Sequence, residues 1–293
     1  MTNLFPPVDP ENENRPQSGQ TGALDKRLRR RRQVPFRALL PNMLTLLAIA
    51  AGLTAIRLAI EGNLELAVGA LIFAAILDGI DGRVARLLKS TSNFGAQLDS
   101  LADFVNFGVA PAILLYVWRL QDLKALGWIV ALALAICTAL RLARFNSSLD
   151  AEPGPDWHKD YFVGIPAPAG AMAVLLPLAL SKLGVPVPAE AAAIVALYTA
   201  AIALLMVSRF PTWSGKRLGQ RIPTDSVMPF LVMAVLMIAL LISYPFSVLT
   251  VGVIFYLGHL PFAWRAWRKR HAAEAAPNDT STDDTGTSGK TDD

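Results

Sequence analysis

Apolar residues along this chain gather into long blocks parted by short polar turns. The blocks approach the roughly 20 residues that a helix needs to cross the hydrocarbon core of a bilayer. Eight candidate spans follow: Leu39–Ile60, Leu64–Leu88, Gly95–Trp118, Leu123–Phe145, Phe162–Leu183, Ala189–Val207, Ser226–Ser243 and Phe246–Trp267. The second and third carry Asp and Arg inside them. The last two are parted only by Tyr244-Pro245, which is either a tight hairpin or a break in one segment. The pattern divides the chain into a disordered basic tail over residues 1–35, a membrane domain over 36–270 and a second disordered tail over 271–293, rich in Thr, Asp, Ser and Gly. The expected fold class is an all-α integral membrane protein, a bundle of about eight transmembrane helices.

Composition agrees. Hydrophobic residues make up 53% and charged residues 17% of the 293, too apolar for a soluble protein with an ordinary charged surface. The net charge of +4 does not indicate nucleic acid, because the basic residues cluster at the ends of the apolar blocks. The run Arg29 to Arg32 reads as an anchor before the first span. Basic residues also set orientation. With both termini cytoplasmic, the inner segments hold Arg27 to Arg37, Arg83/Arg86/Lys89, Arg141/Arg144/Lys159, Arg209/Lys216/Arg217/Arg221 and Arg265/Arg268/Lys269/Arg270. The outer turns keep Arg57, Arg119, Lys124 and Lys182. The expected location is the inner (cytoplasmic) membrane, multi-pass. Residues 1–26 are polar, without the apolar core of a cleavable signal. The lone Cys137 allows no disulfide within the chain.

Candidate chemistry lies between residues 78 and 103, D-G-I-D-G-R-V-A-R-L-L-K-S-T-S-N-F-G-A-Q-L-D-S-L-A-D. Asp78 and Asp81 are three apart, Asp99 and Asp103 four apart, so each pair shares one helix face. A short turn around Ser90–Asn93 makes the two helices an antiparallel hairpin, with the carboxylate pairs facing each other near its cytoplasmic end. Four such groups repel unless a cation sits among them, and hard divalent ions with oxygen ligands suit the task. Ionisable residues inside spans are rare and usually functional. Solvated helix ends, or pairing with Arg83 and Arg86, would explain one aspartate better than four. The histidines His158, His259 and His271 read as loop or tail residues, and no Ser–His or Cys–His arrangement is visible.

The full pattern D-x2-D-G-x2-A-R-x8-G-x3-D-x3-D is present as Asp78, Asp81, Gly82, Ala85, Arg86, Gly95, Asp99 and Asp103. It resembles the signature of the CDP-alcohol phosphatidyltransferase family. That resemblance implies a six-helix core with two metal ions, Mg²⁺ or Mn²⁺, between the second and third helices. It implies Asp78, Asp81 and Asp99 as metal ligands, and Asp103 as ligand and general base. It further implies that Gly82, Arg86 and Ser92 contact the CDP moiety, that Asn42 and Thr45 line the nucleotide site, and that the protein is a homodimer. Read from local physics alone, Pro41 and Asn42 are a helix start and cap, and Gly82 and Gly95 are small packing residues.

Three further stretches narrow the acceptor: residues 99–112, Arg141 to Asn146, and Phe162-Val163-Gly164-Ile165-Pro166-Ala167-Pro168-Ala169. They resemble the serine-using branch of that family, the membrane-bound phosphatidylserine synthases, over roughly residues 36–265. The implied substrates are CDP-diacylglycerol and L-serine, with membrane lipids around them. Serine brings a carboxylate, for which Arg141 and Arg144 are the candidate cations, with Asn146 as a hydrogen-bond partner. Positive-inside anchoring of the fourth span accounts for the same two arginines equally well. Other acceptors within the family are glycerol phosphate, inositol phosphate or choline. From another class, a cation transporter also uses intramembrane carboxylates, but nearer the bilayer midplane.

Overall fold

A computed structural model describes residues 36–90, 92–149, 161–208, 210–213 and 227–274. The tails over residues 1–35 and 275–293 lie outside the described residues, as do Lys159, His158, Arg209, Lys216, Arg217 and Arg221 from the charge and histidine patterns.

The architecture is helical: α1 (Phe36–Ile60), α2 (Leu64–Leu87), α3 (Asn93–Asp103), α4 (Ala110–Trp118), α5 (Ala125–Leu149), α6 (Ala167–Val174), α7 (Leu176–Lys182), α8 (Ala192–Val207), α9 (Val227–Ser243) and α10 (Pro245–Glu274). Five stretches are long and apolar enough to cross a membrane: Leu39–Ile60, Asn93–Trp118, Ala125–Ser147, Ala189–Val207 and Pro245–Arg268. The protein is therefore a multi-pass membrane protein. α2 also has the length, about 36 Å at 1.5 Å per residue; its acidic residues keep it out of a hydropathy count.

Packing follows membrane rather than aqueous rules. The buried stripe of α1 is small, Ala48, Gly52, Ala55 and Ala59, and lies against Ala67, Leu71 and Ala74 of α2. Small residues let two helices approach closely where no hydrophobic effect drives them together. Large apolar side chains face outward instead: Leu53, Phe73, Leu132, Ile136, Leu197 and Leu204 are all exposed. On a soluble protein such a belt would be an aggregation surface; in a bilayer it meets lipid.

Between α3 and α4 the helix widens into a π segment, Phe104–Val109, with Ala110 N–H bonded to Val105 O. Pro111 lies just beyond, lacking an N–H and crowding the preceding turn, which a wider turn accommodates. Asn106 sits fully buried in this segment against Gly52 of α1. A Cβ at Gly52 would fall 2.0 Å from Asn106 Oδ1, so that crossing requires glycine.

The helix boundaries depart from the sequence pattern in places. The fifth span does not start at Phe162: Tyr161–Val163 pairs antiparallel with Pro211–Trp213, and helix begins only at Ala167. Gly164 explains the change, with φ +81 and Met206 O only 2.4 Å from where a Cβ would stand; Pro166 and Pro168 then fix the entry to α6. The same span breaks again at Leu175, where Pro177 opens α7. The Tyr244-Pro245 joint is a single non-helical residue, with Tyr244 N–H bonded to Leu240 O and Val248 N–H to Tyr244 O. Finally, α10 runs to Glu274, so the helix passes the 270 boundary, and His259 lies half-buried inside it rather than in a loop.

Candidate active site

The loop joining α2 to α3 is built from two helix caps. α2 ends in a Schellman arrangement, Ser90 N–H to Ala85 O at 3.0 Å and Lys89 N–H to Arg86 O at 3.2 Å, with Lys89 left-handed at φ 49. α3 begins on Ser92, whose Oγ accepts from Gly95 N at 3.0 Å. These caps fix the axial register of the two aspartate-bearing helices.

α1 packs along both α2 and α3, whereas α2 and α3 touch each other little. The expected hairpin is therefore a wedge, and the wedge holds a cavity of about 410 Å³. Every residue that the family resemblance assigns to the CDP moiety lines it: Asn42 and Thr45 from α1, Gly82 and Arg86 from α2, and Ser92 from the loop. Asp81 and Asp99 line it as well. Gly82 presents open space where a Cβ would be, so its bare backbone is part of the cavity wall. Gly95 is the reverse case: a Cβ there would stand 3.0 Å from Asn42 Oδ1 and 3.2 Å from Ser92 Oγ, so the glycine lets α1 and the cap close on each other.

Asp78, Asp99 and Asp103 converge, each offering a carboxylate oxygen within 4.8 Å of the others. Asp81 stands beside this triad rather than in it, with Oδ2 accepting from Thr45 Oγ1 at 2.7 Å. The same hydroxyl also lies 3.1 Å from Pro41 O, and its one proton serves one acceptor at a time. The remaining oxygens are telling: Asp78 Oδ1 and Asp81 Oδ1 are buried with no hydrogen-bond partner. Among the described residues, the ion pairs join Arg57 to Glu61, Arg119 to Asp122 and Lys182 to Glu65, and no pair takes up an aspartate of the cluster. Pairing with Arg83 or Arg86 thus does not account for these carboxylates. Clustered carboxylates, two of which keep a buried oxygen without a partner, are the donor set a hard divalent cation requires, and the residues fit one.

The cluster lies two to three turns into its helices from the connecting loop. Asp99 is about 9 Å and Asp103 about 15 Å along the helix from Asn93 at 1.5 Å per residue. Asp78 stands nine residues before the end of α2, so position along the helix does not by itself separate this site from a transporter's. The separation rests instead on the wedge, which links the carboxylates to the polar loop through Arg86, Ser90 and Ser92.

The three residues expected at the serine subsite part company. Arg141 is 8% exposed, over the Phe145 ring at 5.7 Å and within electrostatic range of Asp103. Arg144 is exposed and donates through Nη1 to Val207 O at 2.5 Å, tying α5 to the end of α8. Asn146 donates to Ser100 Oγ at 2.9 Å and lines a separate cavity of about 670 Å³ on the other side of α3. The structure brings Arg141 towards the carboxylates and engages Arg144 and Asn146 elsewhere. One fully buried polar residue close to Asp103 along the chain was given no role from sequence, Asn106. It carried a signal, a lone amide three residues beyond Asp103 inside a span.

Comparison with known proteins agrees with this arrangement. Residues 38–208 match the family model described as CDP-alcohol phosphatidyltransferase, and residues 225–261 match CDP-alcohol phosphatidyltransferase 2. The first match ends where α8 ends, after six spans if α3 with α4 and α6 with α7 each count as one. A CDP-diacylglycerol–serine O-phosphatidyltransferase of Mycobacterium leprae is 39% identical over 245 residues, covering 82% of this chain and 79% of its own. One of the same description from Bacillus subtilis is 35% identical over 171 residues, 58% of this chain and 87% of its own. An archaetidylserine synthase of Methanothermobacter thermautotrophicus is 34% identical over 137 residues, 46% of this chain and 55% of its own.

Proposed function

The chain belongs to the CDP-alcohol phosphatidyltransferase family, and on that footing we propose that it transfers the phosphatidyl group of CDP-diacylglycerol to L-serine, giving phosphatidylserine and CMP. The observation that carries this reading is the convergence of Asp78, Asp99 and Asp103 beside a cavity walled by Asn42, Thr45, Gly82, Arg86 and Ser92. Those five residues hold the cytidine diphosphate, with Arg86 placing positive charge against its phosphates. Asp103 accepts the proton of the serine hydroxyl as its oxygen bonds to the phosphorus that bears the diacylglycerol. The bond from that phosphorus to the bridging oxygen breaks, and CMP departs with the electron pair. Asp78, Asp81, Asp99 and Asp103 would hold two divalent ions, Mg²⁺ or Mn²⁺, which when bound neutralise charge on the diphosphate and align the attack.

Serine is favoured over other acceptors because, among the described residues, the buried cation within electrostatic range of Asp103 is a single arginine, Arg141, enough for one carboxylate. A phosphorylated acceptor asks for a denser basic pocket, and choline for an aromatic cage. The relatives reported above, spanning diacylglycerol and archaetidyl lipids, are all named for serine. The deciding experiment supplies purified protein with CDP-diacylglycerol and, in turn, serine, glycerol 3-phosphate, inositol phosphate and choline. CMP release is expected with serine at a kcat/KM at least about tenfold above the rest, a 1.4 kcal/mol preference. A phosphorylated alcohol in first place would overturn the assignment.

We read the protein as a homodimer of the inner membrane with both termini cytoplasmic, so that the loop at Lys89 faces the cytoplasm. Lys182, bonded to Glu65 at 2.9 Å, then marks the opposite face together with Asn63. Single cysteines at Asn63 or Lys182 should label with an impermeant maleimide from the periplasmic side, and one at Lys89 only after permeabilisation. Reversed labelling would discard the orientation.

A further inference from the structure

Helix α2, which carries Asp78 and Asp81, also walls a second cavity, of about 410 Å³. Its other walls are α6, α9 and α10, through Ile72 and Ile76 of α2, Met172, Leu241, Gly252 and Tyr256. Among the described residues the lining is apolar save for Tyr256, and the volume is that of a ligand pocket. Two of the four walls are additions to the core: the match over residues 38–208 ends at α8, and a separate one covers 225–261. α9 packs chiefly on α10 and turns Leu231, Val235 and Ile238 outward, so the added pair leaves space between itself and α2. The cavity has a direction. Lys182, at the end of α7, bonds to Glu65 at the start of α2. Trp264, far along α10, stacks on Phe210, whose carbonyl accepts from Gly164 N–H just before α6 begins. Since α6 and α7 are one broken span, α2 and α10 run the same way, and Ile76 and Tyr256 mark one end of the cavity. That end abuts the aspartate cluster: Ala75, also on the wall, is three residues before Asp78 and about 4.5 Å from it along the axis. The hydroxyl of Tyr256 is closed off from solvent and bonded to nothing, which native folds tolerate mainly where a ligand brings the acceptor.

Deepening the donor half of the reading above, on which it rests, we propose that this cavity holds one acyl chain of CDP-diacylglycerol, entering between Ala75 and Tyr256 and running away from the aspartates. The donor's headgroup lies on a neighbouring face of the same helix, against Asp81, Gly82 and Arg86. In the diacylglycerol the nearer ester is one carbon from the carbon that bears the phosphate, so its chain has only to pass round α2. The ester carbonyl is the acceptor that Tyr256 lacks, and the hydrocarbon beyond it matches the apolar walls. A tail from the surrounding bilayer matches those walls equally well. The donor's chain prevails because it is tethered to a headgroup already held by the site, which gives it a high effective concentration there. The added pair α9 and α10 thereby takes part in choosing the donor and leaves the chemistry to the core.

The test uses the full-length protein in detergent micelles, with CDP-diacylglycerol carrying either octanoyl or butyryl chains. Gly252 is the place to fill the cavity, because no atom lies within 4 Å of where its Cβ would stand. Gly252→Leu and Gly252→Phe should melt no lower than the wild type, since replacing a helical glycine raises helix propensity. Gly252 is about 6 Å along α10 from Tyr256, beyond the end of a butyryl chain. Both variants should lower kcat/KM for the octanoyl donor about tenfold, the scale of overpacking a filled site, and keep the butyryl donor within about twofold of wild type. Tyr256→Phe should cost an ester-linked donor about fivefold, the value of one neutral hydrogen bond, and leave the dialkyl ether analogue, which has no carbonyl, unchanged. Equilibrium binding of each donor, measured with no acceptor present, should follow the same pattern and does not depend on the choice of serine. Equal losses with octanoyl and butyryl donors would overturn the proposal, as would octanoyl values within about twofold of wild type in both Gly252 variants. Equal losses of Tyr256→Phe with ester and ether donors would overturn it too. A wild-type protein that binds CDP-diacylglycerol of neither chain length would instead sink the donor assignment on which the occupant rests.

Discussion

Asp103→Asn removes nearly all turnover, with kcat for serine falling by roughly 10²–10⁴-fold, the usual contribution of a positioned general base. The substitution keeps the size of the side chain and one oxygen, so helix α3 and its packing should be unaffected. What it loses is the capacity to take a proton. Binding of CDP-diacylglycerol, measured directly by equilibrium binding of the labelled lipid, should stay within a few-fold of wild type, because the cavity walls named above exclude Asp103. A loss of kcat with retained lipid binding marks an interaction made in the transition state. Asp103 also belongs to the carboxylate triad, so the variant must be assayed across a range of divalent-ion concentrations. Recovery to near wild-type rates at high metal would make Asp103 a ligand only, and the base would have to be sought elsewhere.

How much of this was legible in sequence depends on how local each feature is. The aspartate pairs were, because i, i+3 and i, i+4 spacing forces shared faces whatever the surroundings. The membrane class was equally plain, since block length and composition decide it. The convergence of Asn42 and Thr45 with Gly82, Arg86 and Ser92 came from the family resemblance; no spacing along one helix could have put α1 into the wedge. Features that depend on packing between distant segments were misplaced or missed. Phe162 looked like the start of a span because its neighbours are apolar, but its backbone is paired to Thr212, fifty residues on. Arg144 and Asn146 sit within a turn and a half of Arg141, yet α8 and Ser100 claim them.

Removal of divalent metal should both abolish turnover and loosen the protein. EDTA is expected to take serine-dependent CMP release to background, and Mg²⁺ or Mn²⁺ to restore it, because carboxylates alone cannot neutralise the diphosphate. The second effect follows from the resting site rather than from chemistry. Three half-buried carboxylates within 4.8 Å of one another, one of them (Asp78) with a buried oxygen that meets no donor, are mutually repulsive when ionised. A cation bound only by the folded arrangement stabilises it by about 2.7 kcal/mol at a hundred times its dissociation constant. The melting temperature in detergent should therefore rise with Mg²⁺ or Mn²⁺ in the absence of any substrate, and the rise should vanish in Asp78→Asn and Asp99→Asn. Loss of activity without a metal-dependent melting shift would place the ion on the nucleotide rather than on these side chains. Full turnover in thoroughly chelated buffer would remove metal from the mechanism, and the triad would then need another explanation for carboxylates held so close together.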